Sequence, residues 1–289
     1  MFVTDSWEDY ELLDTGDGMK LERWKDIFLL RPDPQVIWPY KNTPDKKHIH
    51  AIYSRSSSGG GSWDFLKKVP EKWNIAWRDL TFSVRPMGFK HTGLFPEQAV
   101  NWDWMRALIK NSSRKEINVL NLFGYTGGAT VACASAGARV CHVDAAKNMI
   151  AIGKENLAIS GLSDAPVRWI VDDCIKFVQR EIRRGNKYDG IILDPPSYGR
   201  GPGGELWHLE DMLYPFMESC AQVLKDEPLF LLLNSYTTGL QPLVLRNVIE
   251  KTVCSRFGGR VDAQEVGLRV SGQNIILPCG ASGRWEKEV

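Results

Sequence analysis

From Ile117 onward, short apolar segments alternate with longer segments of helical periodicity, and this alternation limits the fold more than any other feature. The apolar segments read INVLNL, ARVCHV, APVRWIV, YDGIIL and PLFLLL, and each gap between them is long enough for a crossover helix. Continuous apolar strands of this kind belong to parallel sheets that helices cover on both faces. The pattern predicts an α/β fold with a doubly wound sheet. A further helical segment and two extended segments joined at Gly272 predict a terminal antiparallel hairpin on that sheet.

Residues 1–88 differ from this pattern, because they are rich in aromatic residues and prolines and contain short extended segments. The segments ELLD and MKLERW flank Thr15–Gly18, which has the turn chemistry of a β-hairpin. The stretch SRSSSGGGS, Ser54–Ser62, is too polar and glycine-rich to pack, so we expect a mobile loop or linker, with a surface hairpin loop as the simpler alternative. Together these features predict a small β-rich accessory or substrate domain over 1–88 and a larger domain over 89–289.

The overall charge and the cysteines indicate an ordinary intracellular globular chain. With 36 basic and 35 acidic residues the net charge is +1, which favours neither a nucleic acid nor a membrane nor an acidic partner. The six cysteines lack CxxC spacing and lie mostly in apolar segments, so we expect reduced thiols and a cytoplasmic location. No segment approaches the 18 or so apolar residues of a membrane span, and the acidic start does not resemble a signal peptide. We therefore expect neither targeting nor membrane anchoring.

A glycine-rich turn follows the first strand of the alternating region. The sequence there is NLFGYTGGAT, in which Gly124, Gly127 and Gly128 allow the backbone to pass close to a ligand. The next strand ends at Asp144, about 20 residues beyond Gly124, where doubly wound folds place an acid that accepts hydrogen bonds from ribose hydroxyls. The spacing predicts a nucleotide-type cofactor site at this edge of the sheet.

Acids also follow the third and fourth strands. Asp173 is placed to accept from an adenine amino group, while the Cys174 backbone N–H donates to the ring, and Asp194 begins the motif DPPSY. A single acid at such a position is often only a helix cap. Acids at the ends of three successive strands are harder to explain in that way, so the three together favour a ligand site.

These motifs resemble those of the class I S-adenosylmethionine-dependent methyltransferases, and more closely the branch of 23S ribosomal RNA base methyltransferases. The resemblance extends over Phe89–Gly280 and includes VDAAKNMI and HTGLFPEQ, the latter similar to a TGxFxDQ segment that lines the cofactor site in that branch. It implies S-adenosyl-L-methionine as cofactor, and a Rossmann-like sheet of seven strands with the last antiparallel. The cofactor-binding residues expected from the motifs and this resemblance are His91, Thr92, Phe95, Glu97, Gln98, Phe123, Gly124, Tyr125, Thr126, Gly127, Asp144, Ala145, Asp173, Cys174 and Asp194.

The motif DPPSY carries the expected chemistry, for which Asp194, Pro195, Pro196 and Tyr198 are the candidate catalytic residues. Methyl transfer from a sulfonium is an in-line displacement that needs positioning rather than a metal, so we expect no metal site. The prolines stiffen the loop and aim the acceptors of Asp194, while Tyr198 either stacks on a base or only closes the loop.

Cytosine C5 methylation is disfavoured, because the nucleophilic cysteine that this chemistry needs after the fifth strand is replaced by Asn234, Ser235 and Tyr236. Ser197 likewise stands where DPP would be followed by cysteine. Nitrogen methylation of a base in ribosomal or other structured RNA is the favoured reaction. A protein or small-molecule substrate and a non-catalytic cofactor-binding protein stay as alternatives, and the sequence does not indicate the oligomeric state.

Two further expectations concern the ligands and the loop beyond DPPSY. A dinucleotide is disfavoured, because the turn GYTGGA does not match the GxGxxG spacing that brings a helix N-terminus against a pyrophosphate. The glycine-rich segment Gly199–Glu205 is a candidate lid with Arg200 as a candidate phosphate contact, although a loop without function explains it nearly as well.

Overall fold

The structure is a computed structural model that describes residues 1–56, 60–200 and 206–287, without the side chains of Phe89 and Arg200. It divides into two compact units. The first, called here the N-terminal unit, comprises residues 2–100 and 267–279. The second, the C-terminal unit, comprises Met1, 101–266 and 280–289. The boundary expected after residue 88 stays a prediction.

Strands are the main secondary structure of the N-terminal unit, and five of them make one sheet in the order β2-β3-β4-β5-β6, while β7 and β8 pair separately. The hairpin predicted at Thr15–Gly18 is confirmed, since Gly16 pairs with Met19 and the two residues between them have φ values of 50° and 76°. The strands are β1 (Phe2–Thr4), β2 (Tyr10–Gly16), β3 (Met19–Trp24), β4 (Ile27–Pro32), β5 (Ala51–Arg55), β6 (Gly61–Phe65), β7 (Trp73–Trp77) and β8 (Leu80–Val84).

The serine- and glycine-rich stretch Ser54–Ser62 connects β5 to β6. The two strands pair antiparallel, with Arg55 opposite Gly61, so the described part of this stretch belongs to a hairpin. Residues 57–59 lie outside the described part of the chain, and the expected mobility of the stretch stays a prediction.

The alternating elements predicted after Ile117 are all present and confirm the α/β fold. With α1, β13 and β14, which were not predicted, the helices and strands from residue 99 onward are α1 (Ala99–Asn111), β9 (Asn118–Leu122), α2 (Gly128–Ser135), β10 (Arg139–Asp144), α3 (Lys147–Ile159), β11 (Val167–Val171), α4 (Cys174–Arg184), β12 (Gly190–Leu193), β13 (Tyr198–Arg200), β14 (Leu206–His208), α5 (Leu209–Gln222), β15 (Phe230–Ser235), α6 (Pro242–Ile249), α7 (Ser255–Phe257), β16 (Arg260–Arg269) and β17 (Ile276–Glu286). The single helix expected at 240–255 is interrupted by a π-helical segment, Glu250–Cys254.

The large sheet has the topology of a doubly wound fold. Seven of its strands lie in the order β16-β17-β15-β12-β9-β10-β11. The pairs among β15, β12, β9, β10 and β11 are parallel, whereas β17 is antiparallel to β15. The predicted antiparallel last strand is therefore confirmed, and these seven strands match the expected arrangement within a sheet of eight.

The centre of this sheet is apolar on both faces because helices cover both. Every residue of β12 and β15 is buried, and the large apolar side chains of α5 pack in the same core. Within the described residues, no helix combines the length and the apolar character needed to cross a membrane.

Candidate functional site

The register of the parallel strands brings the sequence motifs to one edge of the sheet. Leu122, the last residue of β9, pairs with Val143 in β10 and with Leu193 in β12. Phe123, Asp144 and Asp194 follow these three residues directly, so they start from the same carboxyl edge. This is the edge at which open α/β sheets bind their ligands.

Asp144 joins two turns through its carboxylate. Its Oδ2 accepts a hydrogen bond from the Tyr125 backbone N–H at 2.8 Å, and its Oδ1 accepts one from the Ala146 N–H at 2.8 Å. Burial raises the pKa of this carboxyl, while the two amides act in the opposite direction. Asp144 therefore stabilises the glycine-rich turn, whether or not it also binds a ligand.

The glycine-rich turn is strained at two residues that are not glycine. Phe123 has a φ of 57° and Tyr125 a φ of 50°, in the left-handed region that L-residues rarely adopt, and Gly127 follows with 81°. Each such residue costs about 1–3 kcal/mol, and strain of this kind persists at sites that bind ligands. A buried bond from Asn156 Nδ2 to the Thr126 carbonyl, at 2.8 Å, supports this conformation.

Two of the three glycines are required by rings beneath the turn. A Cβ on Gly124 would lie 2.4 Å from Cε1 of His142, and one on Gly128 would lie 2.7 Å from the ring of Trp102. From the sequence we expected these glycines to let a ligand come close to the backbone. In the structure, the rings of His142 and Trp102 fill the space that a Cβ would need. Close packing therefore suffices to explain Gly124 and Gly128.

The side chain of His142 lies next to Gly124, beneath the turn, and no sequence motif predicted it there. It is fully buried in β10, and its Nδ1 lies 2.8 Å from Thr130 Oγ1, which accepts a hydrogen bond from Asn121 Nδ2 at 2.8 Å. Its ring centroid is 4.6 Å from that of Trp169. A polar residue inside the apolar strand ARVCHVD was the only signal in the sequence.

Asp173 and Cys174 stand at the start of α4. Asp173 caps the helix, since its Oδ1 accepts from the Lys176 N–H at 2.9 Å, as the helix-cap explanation requires. The Cys174 thiol is buried, and its Sγ accepts from the Phe123 N–H at 3.3 Å. The structure thus gives both residues structural contacts, and their adenine contacts stay predictions. Ala145, the remaining member of this group, is exposed beside Asp144.

The DPPSY loop is fixed by bonds to its backbone. The Trp207 Nε1–H donates to the Pro196 carbonyl at 2.6 Å, and the Leu209 N–H donates to the Ser197 carbonyl at 3.1 Å. Asp194 is half-buried and Pro195 is buried, so the start of the loop is enclosed. The prolines and these two bonds together hold the Asp194 end of the loop in one conformation.

Tyr198 projects from this loop with 51% of its surface exposed. It begins β13, which pairs antiparallel with β14, and its ring meets that of His208 edge to face at a centroid distance of 5.0 Å. An exposed ring that is held on one edge offers a face for stacking. Of the expected lid, residues 201–205 and the Arg200 side chain lie outside what the structure describes.

An aromatic cluster connects the glycine-rich turn to the DPPSY loop. The ring of Phe123 lies 5.5 Å from that of Trp207 and 6.0 Å from that of Phe216, and the last two rings are 5.8 Å apart. The sequence motifs predict a cofactor contact for Phe123 and do not indicate the other two rings. Trp207 lies just past the glycine-rich segment, and no pattern in the sequence links it to Phe123.

The HTGLFPEQ segment lies in the N-terminal unit and is described there. Thr92, Glu97 and Gln98 are buried, with exposures of 1%, 5% and 7%. Burial and the nearby Arg31 lower the pKa of His91 to about 4, and its ring lies 5.5 Å from that of Phe95. The proposed roles of this segment at the cofactor stay predictions.

A charged network beneath that segment holds it in place. Arg31 donates to both oxygens of the fully buried Glu22 carboxylate, at 2.6 and 2.8 Å, and to the Lys90 carbonyl at 2.7 Å. The Lys90 ammonium in turn donates to the Pro32 carbonyl at 2.9 Å. The residue before His91 is thus tied to β4 by charge-assisted bonds.

The residues at the carboxyl edge of the large sheet fit S-adenosylmethionine. A carboxylate offers about four lone-pair positions, and the two backbone amides leave two of them on Asp144 for ribose hydroxyls. Asp194 and the backbone of the Phe123–Gly127 turn add polar groups at the same edge.

Curated relatives match only part of the chain. The ribosomal RNA large subunit methyltransferase K/L of Shewanella frigidimarina is 36% identical over 118 residues, which is 40% of this chain and 16% of the relative. The protein of the same name from Shewanella sp. strain MR-4 is 34% identical over 119 residues, again 16% of its length. Most of each relative therefore lies outside the match.

Solved structures match nearly the whole chain. The SAM-dependent methyltransferase of Agrobacterium tumefaciens is 37% identical, with a TM-score of 0.93 over 99% of this chain and 93% of its own. A methyltransferase solved with S-adenosylhomocysteine shares the fold, with a TM-score of 0.72 at 19% identity over 98% of this chain and 76% of its own. A sequence profile described as S-adenosylmethionine-dependent methyltransferase matches residues 46–206. The chain belongs to the S-adenosylmethionine-dependent methyltransferase family, and S-adenosyl-L-methionine is its cofactor.

Proposed function

We propose that this enzyme methylates a base nitrogen in ribosomal or other structured RNA. The observation that carries the proposal is the exposed ring of Tyr198, fixed directly after the Asp194–Pro196 segment at the carboxyl edge of the sheet. RNA-binding proteins commonly stack unpaired bases on such rings. The names of the partial relatives, which are ribosomal RNA methyltransferases, support the same substrate class. A ribosomal RNA substrate would place the enzyme in the cytoplasm.

The proposed division of labour follows from where each group lies. When bound, S-adenosylmethionine supplies an electrophilic methyl group on its sulfonium. Asp144 and the turn after β9 hold the cofactor, and Tyr198 holds the base flat against its ring. Asp194 accepts a hydrogen bond from the N–H of the target amino or ring nitrogen and so orients its lone pair. This carboxylate takes the proton that the nitrogen releases when the methyl group moves to it from sulfur. Positioning therefore accounts for most of the catalysis.

Nitrogen is the favoured target because the site lacks an activated thiol. Carbon methylation of a pyrimidine needs a cysteine thiolate as nucleophile. Among the cofactor and catalytic residues assigned above, Cys174 is the only cysteine, and burial raises the pKa of its thiol well above the usual range. A lone pair on nitrogen attacks the methyl group without covalent help.

The test of the proposal is transfer of a tritiated methyl group from S-adenosylmethionine to undermethylated total RNA, followed by nucleoside analysis. We expect label in an N-methylated nucleoside of ribosomal RNA. Label in a C-methylated pyrimidine would contradict the nitrogen target. Label in protein or small molecules alone would contradict the RNA substrate, and binding of the cofactor without any transfer would favour a non-catalytic role.

Two substitutions of Tyr198 test the stacking step. Tyr198→Phe keeps a flat ring and should leave the KM for RNA within about twofold of the wild type. Tyr198→Ala removes the ring and should raise KM about tenfold, since stacking contributes about 1–3 kcal/mol per base. Tyr214→Ala, which removes an exposed ring on α5, is the matched control and should have no effect. Equal KM values for Tyr198→Ala and the wild type would contradict stacking.

A further inference from the structure

A groove lies at the amino edge of the large sheet, opposite the edge that carries the cofactor residues. It is lined by the starts of three parallel strands, at Asn118, 139–141 and 165–168, and by the chain at the end of α4, at Glu181 and 186–188. All of these residues belong to the C-terminal unit. The cavity has a volume of about 530 Å³, within the range of pockets that bind small molecules or single nucleotides.

The rim of this groove is positively charged. Among the described residues that line it, the cations are Arg139, Arg168 and Lys187, and all three are exposed. Arg139 also forms an ion pair with Glu116 at 2.8 Å, in which both side chains are more than half exposed. Exposed pairs of this kind contribute little to stability, so a phosphate can replace Glu116 at small cost.

The one carboxylate in the lining, Glu181, is held by three donors of the protein. Glu181 is fully buried and accepts hydrogen bonds from Tyr188 Oη at 2.6 Å, Asn186 Nδ2 at 2.9 Å and Arg184 Nη1 at 3.1 Å. Against the effect of burial, the hydrogen bonds from these donors and the nearby Arg168 lower the pKa of Glu181, so it stays a carboxylate whose charge Arg184 and Arg168 offset. The three cations of the lining outnumber this one anion, so the net charge of the lining is positive.

Apolar side chains form part of the lining of the groove. The strand starts contribute Val140, Cys141, Pro166 and Val167, and Tyr188 contributes the body of its ring. Exposed cations together with apolar side chains in one lining match a nucleotide, whose phosphate is anionic and whose base is flat and apolar on its faces. We propose that this groove binds a nucleotide unit of a single-stranded RNA segment, with its phosphate on Arg168 and Lys187.

The position of the groove explains how a large substrate can be held. The strands between the two edges are 5 or 6 residues long, which is about 17–20 Å at the rise of a β-strand. A structured RNA is large enough to contact both edges at once. The inference rests on the proposed RNA substrate for the identity of the occupant, although the groove and its charges do not depend on it.

The experiment is a fluorescence anisotropy titration of a labelled single-stranded RNA of about 12 nucleotides, repeated at several salt concentrations. We expect the double variant Arg168→Gln/Lys187→Gln to bind about tenfold more weakly and to reduce the slope of log K against log salt by about 0.7, because the two cations contact one phosphate and each lost phosphate contact removes about 0.7. The matched control Arg246→Gln/Lys251→Gln removes two exposed cations outside the groove, one on α6 and one on the π-helical segment. It should behave like the wild type.

Three results would contradict the proposal that the groove binds RNA. The wild type does not bind the RNA, the salt slope of the groove variant equals that of the wild type, or the control variant loses as much RNA affinity as the groove variant. In a second measurement, uridine monophosphate competes with the labelled RNA. Weak competition, at millimolar concentration, is expected for an RNA-binding groove, whereas tight binding of the free nucleotide would make a mononucleotide the occupant and overturn the RNA assignment.

The methyl-transfer assay separates this inference from the proposed function. If the wild type labels no RNA but the groove variant has a reduced salt slope, RNA methylation is contradicted and RNA binding in the groove is supported. If the wild type labels RNA and the slope of the groove variant is unchanged, RNA methylation is supported and RNA binding in the groove is contradicted. Cofactor affinity, measured by calorimetry, should be equal in all variants, because the substitutions lie at the opposite edge of the sheet.

Discussion

Asp144 accepts two backbone amides with one carboxylate, at Tyr125 and Ala146. In Asp144→Asn one of these amides must face an NH₂ group, which leaves a donor without an acceptor and costs about 1–3 kcal/mol. We therefore expect affinity for S-adenosylmethionine to fall about 10- to 100-fold in a calorimetric titration. Asp164→Asn, at an exposed turn, should bind normally. Wild-type affinity in Asp144→Asn would contradict the proposed role of this carboxylate.

His142 links folding of the C-terminal unit to pH. Burial lowers its pKa to about 3, whereas an unfolded histidine titrates near pH 6.5. Below about pH 6.5 the unfolded chain binds a proton that the folded chain excludes, so this residue lowers the stability by about 1.4 kcal/mol per pH unit until about pH 3. The wild type should thus lose about 2–3 kcal/mol between pH 6.5 and pH 4.5 beyond the loss in His142→Gln.

Urea unfolding at the two pH values measures this difference directly. His48→Gln is the control, because His48 is exposed, and it should keep the pH dependence of the wild type. Parallel losses in the wild type and in His142→Gln would show that His142 is not the group responsible.

At the scale of elements, the strand pair β13–β14 holds the DPPSY loop through one indole. Trp207→Phe keeps a ring in the aromatic cluster but removes the bond to the Pro196 carbonyl. We expect kcat for methyl transfer to fall about tenfold, because a small displacement of Asp194 disturbs the alignment of nucleophile and methyl group. Cofactor affinity should not change.

Trp73→Phe is the matched control for this substitution. Its indole also donates to a backbone carbonyl, that of Trp24 at 3.1 Å, but it lies in the N-terminal unit. Both variants should lose about 1 kcal/mol of stability, and only Trp207→Phe should lose kcat. A similar loss of kcat in both, measured at a temperature where both are folded, would contradict a specific role for Trp207.

The strands and helices after Ile117 were predictable, because buried parallel strands are continuous apolar runs. Strand β6 was not, since GSWDF has no buried face that alternation could reveal. That the motifs meet at one edge of the sheet was also predictable, because parallel strands have their carboxyl ends at the same edge. The helix cap at Asp173 and the imidazole beneath Gly124 depend on three-dimensional contacts that no spacing reports.

At the scale of the whole molecule, the N-terminal unit is not continuous in sequence. The Ser271 N–H donates to the Leu12 carbonyl at 2.9 Å, and Gln273 Nε2 donates to Asp14 Oδ1 at 2.8 Å. These contacts join residues more than 250 positions apart, as the separation of 259 between Gln273 and Asp14 shows. A boundary drawn from local composition cannot include such a segment, because composition carries no information on distant pairing.

This discontinuity predicts how fragments of the chain behave. A fragment of residues 1–100 lacks 267–279, so Leu12 and Asp14 of β2 lose the hydrogen bonds that Ser271 and Gln273 donate to them. We expect the fragment to unfold at a lower temperature than the same fragment carrying 267–279 through a flexible linker, and β2 to exchange its amide hydrogens faster. The exchange of β4, which pairs with β3 and β5 in both fragments, provides the internal control. Equal melting temperatures and equal exchange in β2 would mean that residues 267–279 add nothing to the folding of this unit, and that its strands are sufficient on their own.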